Sequence, residues 1–428
     1  MAEPHRMTAA RASRLIRAGE LSAEALTRAC LDRAAARDGE VRAWAFLDPD
    51  LALAQARALD AAPSRGPLHG LPVGIKDVIL TRDMPTRYNS PFHAGSWLAA
   101  DAACVSLLRS AGAVVFGKTE TVEFAATGRK APTRNPHDLT RTPGASSSGS
   151  AAAVADFHAP LALGTQTAGS VIRPASYCGV WALKPTWGLA STEGAKRFAA
   201  TLDTLGWFAR SAEDLGLMLD VFDPDPSDAA APFELRGARI GVCRTPSWDQ
   251  AEPATRAALA TGAERLAAAG ARLVDLTLPP LFDDLPAAAM RIMSAEGRAA
   301  FLPEYRAAPE LLDEALLGIA TNASGISRAD LTDAYDLAGA CRQAFASVAE
   351  SFDAVLAPST TGEAPVGLGF TGSPAFNALW TLLHTPCVNV PGLLGPNGMP
   401  VGLTVTGPRF SDRRVLEAAE AFGRAFAA

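Results

Sequence analysis

The chain opens with a stretch, residues 8–60, that reads as helical. Ser22 followed by Glu24 marks one helix start there: the serine hydroxyl is placed to cap it, and the acid sits in the first turn, where the helix dipole favours negative charge. From Leu68 the pattern changes. Leu71 to Leu80 is a short apolar, strand-like run with one lysine, Lys76, inside it. Asp101 to Gly112 then reads as a helix and Ala113 to Phe116 as a strand. The alternation continues to about residue 220 and predicts an α/β sheet with helices on both faces. Asp223 to Asp228 is a polar break punctuated by prolines. After it come a strand at Ala238–Val242, a helix at Glu252–Ala269 and a charged, largely helical region over 285–348. Strands return at Ala354–Ala357, Cys387–Val390 and Val401–Val405, and an amphipathic helix runs from Asp412 to the end. No internal repeat occurs.

Composition narrows the class. The 428 residues are 48% hydrophobic and 20% charged, ordinary for a soluble globular protein with a large core. That length suits two or three domains or one large α/β domain. Net charge is −6 and no block of Lys or Arg occurs, so nothing argues electrostatically for nucleic acid. The N-terminus lacks an apolar signal region and no window approaches ~18 uninterrupted apolar residues, so no membrane association and a cytoplasmic location are expected. The six cysteines are dispersed without a CxxC, which predicts buried reduced thiols. The six histidines, equally scattered and without HxH or HExxH spacing, predict no metal site.

One segment stands out chemically. Gly144 to Pro174 holds two serine-rich turns on either side of an alanine-rich run. The first is Gly144-Ala145-Ser146-Ser147-Ser148-Gly149-Ser150; the second is Gly164-Thr165-Gln166-Thr167-Ala168-Gly169-Ser170-Val171-Ile172-Arg173-Pro174. Small residues permit close backbone approach, and serines add hydroxyls without bulk. A linker of this composition would not be embedded in apolar sequence and closed by Arg-Pro, so the segment reads as an active-site scaffold.

Two lysines call for separate treatment. Gly112 to Thr119 matches the phosphate-loop pattern letter for letter, but that loop needs a strand before its first glycine and a helix after its Lys-Thr. Here the first glycine follows a helix and the variable residues are themselves the strand. Nucleotide binding is therefore not expected, and Lys118 reads as a strand-end charge paired with Glu120 or Glu123. Lys76 is harder to dismiss, because an ammonium within an apolar run must be paired or lose its charge. Asp77 points to the opposite strand face. From the residues alone, a general base and a structural ion pair both remain open. No G-x-S-x-G elbow exists and no histidine sits in a triad context. A nucleophilic serine would then need another proton acceptor, and lysine is the recurring alternative.

Together these residues resemble the amidase signature family, the Ser-cisSer-Lys amidohydrolases, and among them the short malonamidase-like members. Leu71–Asp77 and the two serine turns match in order and spacing. Ala111 through Thr119, Cys178 through Thr186, Pro386–Pro391 and Pro400–Leu403 extend the match, which is strong over 65–220 and weaker, though in register, toward the C-terminus. The resemblance implies an α/β amidase signature fold with a mixed central β-sheet sandwiched between layers of α-helices. Residues 1–428 would form a single domain: N-terminal helices over 1–64, the signature core over 65–222, a variable helical segment over 285–345 that sets substrate choice, and C-terminal strands and a helix over 346–428. It implies Ser170 as nucleophile, Ser146 as the cis-serine relaying the proton and Lys76 as base. Backbone N–H groups of Thr167, Ala168, Gly169 and Ser170 would form the oxyanion hole, with Ser147 orienting the network. Neither a cofactor nor a metal is implied.

Three departures from the family pattern bear on the site. Gln166 stands where an acid is usual and Ile172 where an arginine is usual, with Arg173 one position later; losing both charges together leaves no orphan. Arg173 is then open to two readings, a bidentate fork for a substrate carboxylate or a salt bridge to a scaffold carboxylate. Ala168 replaces a glycine and needs a backbone that alanine tolerates. The expected reaction is hydrolysis of a small amide or ureide carrying an acid group, through a seryl acyl-enzyme. The expected partners are that small molecule and at most a second copy of the chain, with no nucleic acid and no membrane. The alternative is a glutamine-hydrolysing subunit of a tRNA-dependent amidotransferase acting with partner chains, for which the chain is short. A catalytically dead binding member is the remaining rival, opposed by the intact Lys76, Ser146 and Ser170.

Overall fold

In the computed structural model, which describes residues 3–223, 225 and 232–427, the strands form one mixed 11-stranded sheet. They are β1 (Trp44–Phe46), β2 (Pro72–Lys76), β3 (Val114–Thr119), β4 (Leu161–Gln166), β5 (Trp181–Lys184), β6 (Thr204–Ala209), β7 (Arg239–Cys243), β8 (Arg272–Leu276), β9 (Ala354–Pro358), β10 (Cys387–Val390) and β11 (Leu403–Thr406). Across the sheet their order is β1-β3-β2-β4-β6-β5-β10-β11-β9-β7-β8. Two parallel patches, β3-β2-β4 and β9-β7-β8, are joined by antiparallel pairs. Every residue of β2, β3 and β4 is buried, as a parallel patch covered on both faces requires. The helix Asp412–Ala427 packs on β10 and β11, while Ser148–Ala155 packs on β2, β3 and β4.

Several expectations hold at the level of single residues. The helix Ala23–Val41 starts where Ser22 Oγ accepts the Ala25 N–H at 3.0 Å. All six cysteines are buried and unpaired. The 285–348 region is the four helices Leu285–Ala300, Leu302–Ala307, Glu314–Ala320 and Arg328–Ala349. Among the described residues, no helix is long and apolar enough to cross a membrane. The proline-punctuated break at 223–228 lies mostly outside the described residues.

Other expectations need correction. Trp44–Phe46 falls in a stretch read as helical, yet it pairs with β3 as an edge strand, because a partner far along the chain supplies its hydrogen bonds. The strand after Gly112 runs on through Lys118 to Thr119, so the phosphate-loop match is a buried strand. Lys118 pairs with neither Glu120 nor Glu123. Its Nζ lies 3.3 Å from Asp77 Oδ1 and donates to the carbonyl of Ile79 at 2.9 Å, because β3 runs parallel to β2 and faces the turn that follows it.

Candidate active site

Two neighbouring strands end at the same edge of the sheet. β2 and β4 are parallel, with Ile75 opposite Leu163, and this register brings the side chain of Lys76 to Thr165. The serine turns cover these ends, one leading into the helix Ser148–Ala155 and the other into Ile172–Cys178. Gly144 has φ +86°, and a Cβ on it would come within 2.9 Å of Pro174 Cα, so the two turns touch through bare backbone.

Lys76 is fully buried. Its Nζ lies 2.7 Å from Ser146 Oγ, 2.8 Å from Thr165 Oγ1 and 3.3 Å from Thr165 O. Burial pushes its pKa well below the ordinary lysine value, and the negative charge of Asp203 opposes that shift. An ammonium would donate to all three oxygens. A neutral amine donates to the two on Thr165 and offers its lone pair to the Ser146 hydroxyl proton. The Ala145–Ser146 peptide bond is cis. Ser147 laces the two turns together: its N–H donates to the Ser170 carbonyl at 3.3 Å, and its Oγ donates to Thr165 O at 3.2 Å.

Ser170 is 9% exposed, so it is accessible without being open. In the turn before it, neither Ala168 nor Gly169 has a positive φ, which is why alanine is accommodated at 168. Gly169 is constrained by space instead, since a Cβ there would stand 2.5 Å from Asn377 Oδ1. Gln166 Oε1 accepts the N–H groups of Val171 and Ile172 at 2.9 and 3.0 Å. Thr167 Oγ1 donates to Asp203, whose other oxygen accepts the Phe198 N–H at 2.6 Å and the Ala199 N–H at 3.2 Å. Burial raises the Asp203 carboxyl to about 6 against these donors and the charge of Lys76. Asp203 also lines a cleft of about 560 Å³ walled by Trp187, Thr192 and Arg197.

Arg173 is buried and spends its fork on backbone. Nη1 donates to Gly372 O and Nη2 to Ala145 O, each at 2.6 Å. Among the described residues neither nitrogen has the scaffold carboxylate partner that one reading expected, and burial lowers the guanidinium to about 10.

Sequence reasoning missed Thr165, Asp203, Asn377 and Thr381. Asp203 carried a signal of the kind that exposed Lys76, a lone charge in an apolar run from Phe198 to Phe208. Asn377 and Thr381 are four apart in the otherwise apolar helix Ala375–Leu382, a spacing that puts both on one face.

The chain belongs to the amidase family, whose family model matches residues 25–416, and it is an amide-hydrolysing enzyme. A curated relative from Acidothermus cellulolyticus, named as one of the subunits of glutamyl-tRNA(Gln) amidotransferase, is 34% identical over 100% of this chain and 95% of its own length. Among solved structures, the peptide amidase of Stenotrophomonas maltophilia matches with a TM-score of 0.84 at 31% identity, covering 99% of this chain and 97% of that one. A chain from a vestigial protein complex tied to the origins of an s-triazine catabolic enzyme matches with a TM-score of 0.87 at 30% identity, over 98% of both. The first relative overturns the expectation that a small amide and at most a second copy are the only partners. It bears the name of one component of an assembly acting on a tRNA-linked substrate, and the same name recurs at 33–35% identity in further relatives. That expectation rested on the resemblance to small-amide hydrolases and on Arg173, neither of which reports on surfaces that bind other chains.

Proposed function

We propose that this chain is the amide-hydrolysing subunit of a multi-chain amidotransferase, releasing ammonia from the side-chain carboxamide of glutamine through a seryl acyl-enzyme. The observation that carries the chemistry is the 2.7 Å contact between the buried Lys76 Nζ and Ser146 Oγ. Neutral Lys76 takes the Ser146 proton as Ser146 takes that of Ser170, and Ser170 Oγ attacks the amide carbon. Negative charge developing on the carbonyl oxygen is met by N–H groups of the Thr167–Ser170 turn, each such donor being worth roughly 3 kcal/mol. The relay then reverses: the nitrogen takes the proton, the C–N bond breaks and ammonia leaves. Water delivers its proton to the same relay and cleaves the ester, which frees the acid and restores the Ser170 hydroxyl.

Support for working within an assembly comes from the subunit relatives matched along nearly their whole length, and from a structural neighbour described as part of a complex. The test is ammonia release from glutamine, by the purified chain and by the complex isolated from native cells through a tag on it, with Ser170→Ala as control. Glutaminase activity that needs the complex and is lost in Ser170→Ala is expected. A complex that spares glutamine while hydrolysing asparagine or a peptide amide overturns the glutamine assignment.

A further inference from the structure

The helix Ala375–Leu382 lies more than two hundred residues beyond the nucleophile turn, yet its polar face is pressed against that turn. Asn377 and Thr381 are each 1% exposed. Thr381 Oγ1 donates to Ala168 O at 2.8 Å and accepts from Gln166 Nε2 at 3.0 Å. These roles are forced by chemistry. An amide nitrogen only donates, so the single hydroxyl proton is free for the Ala168 carbonyl, and the alternative acceptor, Asn377 O, is farther at 3.3 Å. The Gln166 amide is fixed from its other end as well, because Oε1 holds the Val171 and Ile172 N–H groups.

We infer that Thr381 is a positioning residue for the oxyanion turn, acting with Gln166; the inference rests on Ser170 as nucleophile. In a trans peptide the C=O and the following N–H point in opposite directions. Pinning the Ala168 carbonyl to Thr381 therefore turns the Gly169 N–H toward the opposite side of the turn, away from the helix. Gln166 holds the two amides that follow Ser170, so two linked side chains brace the backbone on both sides of it. The pairing also explains why an amide stands at 166 in place of the family's usual acid. A carboxylate there has no proton to give, so the Thr381 hydroxyl would turn toward it and release Ala168 O.

The experiment follows the rate at which a fluorophosphonate labels Ser170, since phosphonylation places a negative oxygen where the hydrolytic intermediate would carry one. Parent, Thr381→Val, Thr381→Ser and Gln166→Glu are compared, with Ser170→Ala as blank. Thr381→Val and Gln166→Glu are expected to label ~10–100-fold more slowly, and Thr381→Ser within about threefold of the parent. The pH midpoint of labelling in Thr381→Val should match the parent, because Lys76 keeps its surroundings. A Thr381→Val rate within about twofold of the parent, a Thr381→Ser as slow as Thr381→Val, or a shifted midpoint overturns the inference alone. If Thr381→Val does not fold, Gln166→Glu against Thr381→Ser decides in the same way. Failure of the parent to label overturns the nucleophile assignment, and the inference falls with it.

Discussion

Arg173 Nη2 stands 2.6 Å from the carbonyl oxygen of Ala145, which joins the helix after one serine turn to the residue just before Ser146 in the other. The same guanidinium reaches Gly372 O, so it brackets three segments distant in sequence. An arginine that sequence reasoning left between a substrate carboxylate and a scaffold carboxylate is engaged by scaffold carbonyls instead.

Replacing Arg173 with Ala strands two buried carbonyls, each costing about 1–3 kcal/mol of stability. Because the bracket acts on the Ser146 turn and not on a substrate group, turnover should fall by the same factor for neutral and acidic amides. Denaturant unfolding and paired kinetics on the two amide classes check both parts. A loss confined to acidic amides would restore the carboxylate-binding reading.

As the proposed base, Lys76 must be neutral to accept a proton, so kcat/KM should rise with pH along an acid limb set by this residue. The charge of Asp203 raises the Lys76 pKa against the effect of burial, so Asp203→Asn should move that limb to lower pH. Stability shifts in a linked way. The Asp203 carboxyl titrates at about 6 in the fold, above its ordinary value, so the parent loses stability relative to Asp203→Asn as pH rises through that range. A pH-rate profile and melting curves at several pH values read both; a limb moving upward contradicts the coupling.

Among the described residues, Asp77 is the carboxylate paired with Lys118, whose pKa burial lowers to about 8. Removing it in Asp77→Ala leaves a buried charge uncompensated, at a cost of about 3–5 kcal/mol. Lys118→Met in the same chain should recover much of that loss, as a double-mutant cycle by urea unfolding would show. The single variant should also regain stability as pH rises, because its lysine can shed the charge.

Gly169→Ala would drive a methyl group to 2.5 Å from Asn377 Oδ1, a buried oxygen with no hydrogen-bond partner among the described residues. Turnover is expected to fall ~100-fold, the scale of a misplacement near 1 Å. Asn377→Ala in the same chain removes the obstructing oxygen and should restore part of the rate. Kinetics of the two single variants and the double variant provide the check.

Much of the candidate site was legible because its signals are local. Lys76 is conspicuous as a lysine inside an apolar run, the two serine turns by their small residues, and the Ser22 cap by side-chain chemistry acting over three residues. Spacing alone placed none of the partners. Lys118 finds Asp77 and not its own neighbours because two parallel strands set which side chains face each other. β1 is a strand because β3 lies beside it, whatever its local preference. Arg173 turns inward to Ala145 and Gly372, and Thr381 reaches Ala168 from a distant helix, because packing brings buried polar groups together and each must then find a partner there. Local chemistry thus singled out the segments in which the proposed reacting residues lie. Which group each buried charge and carbonyl answers to was decided only when the chain closed around them and water was no longer available as the alternative.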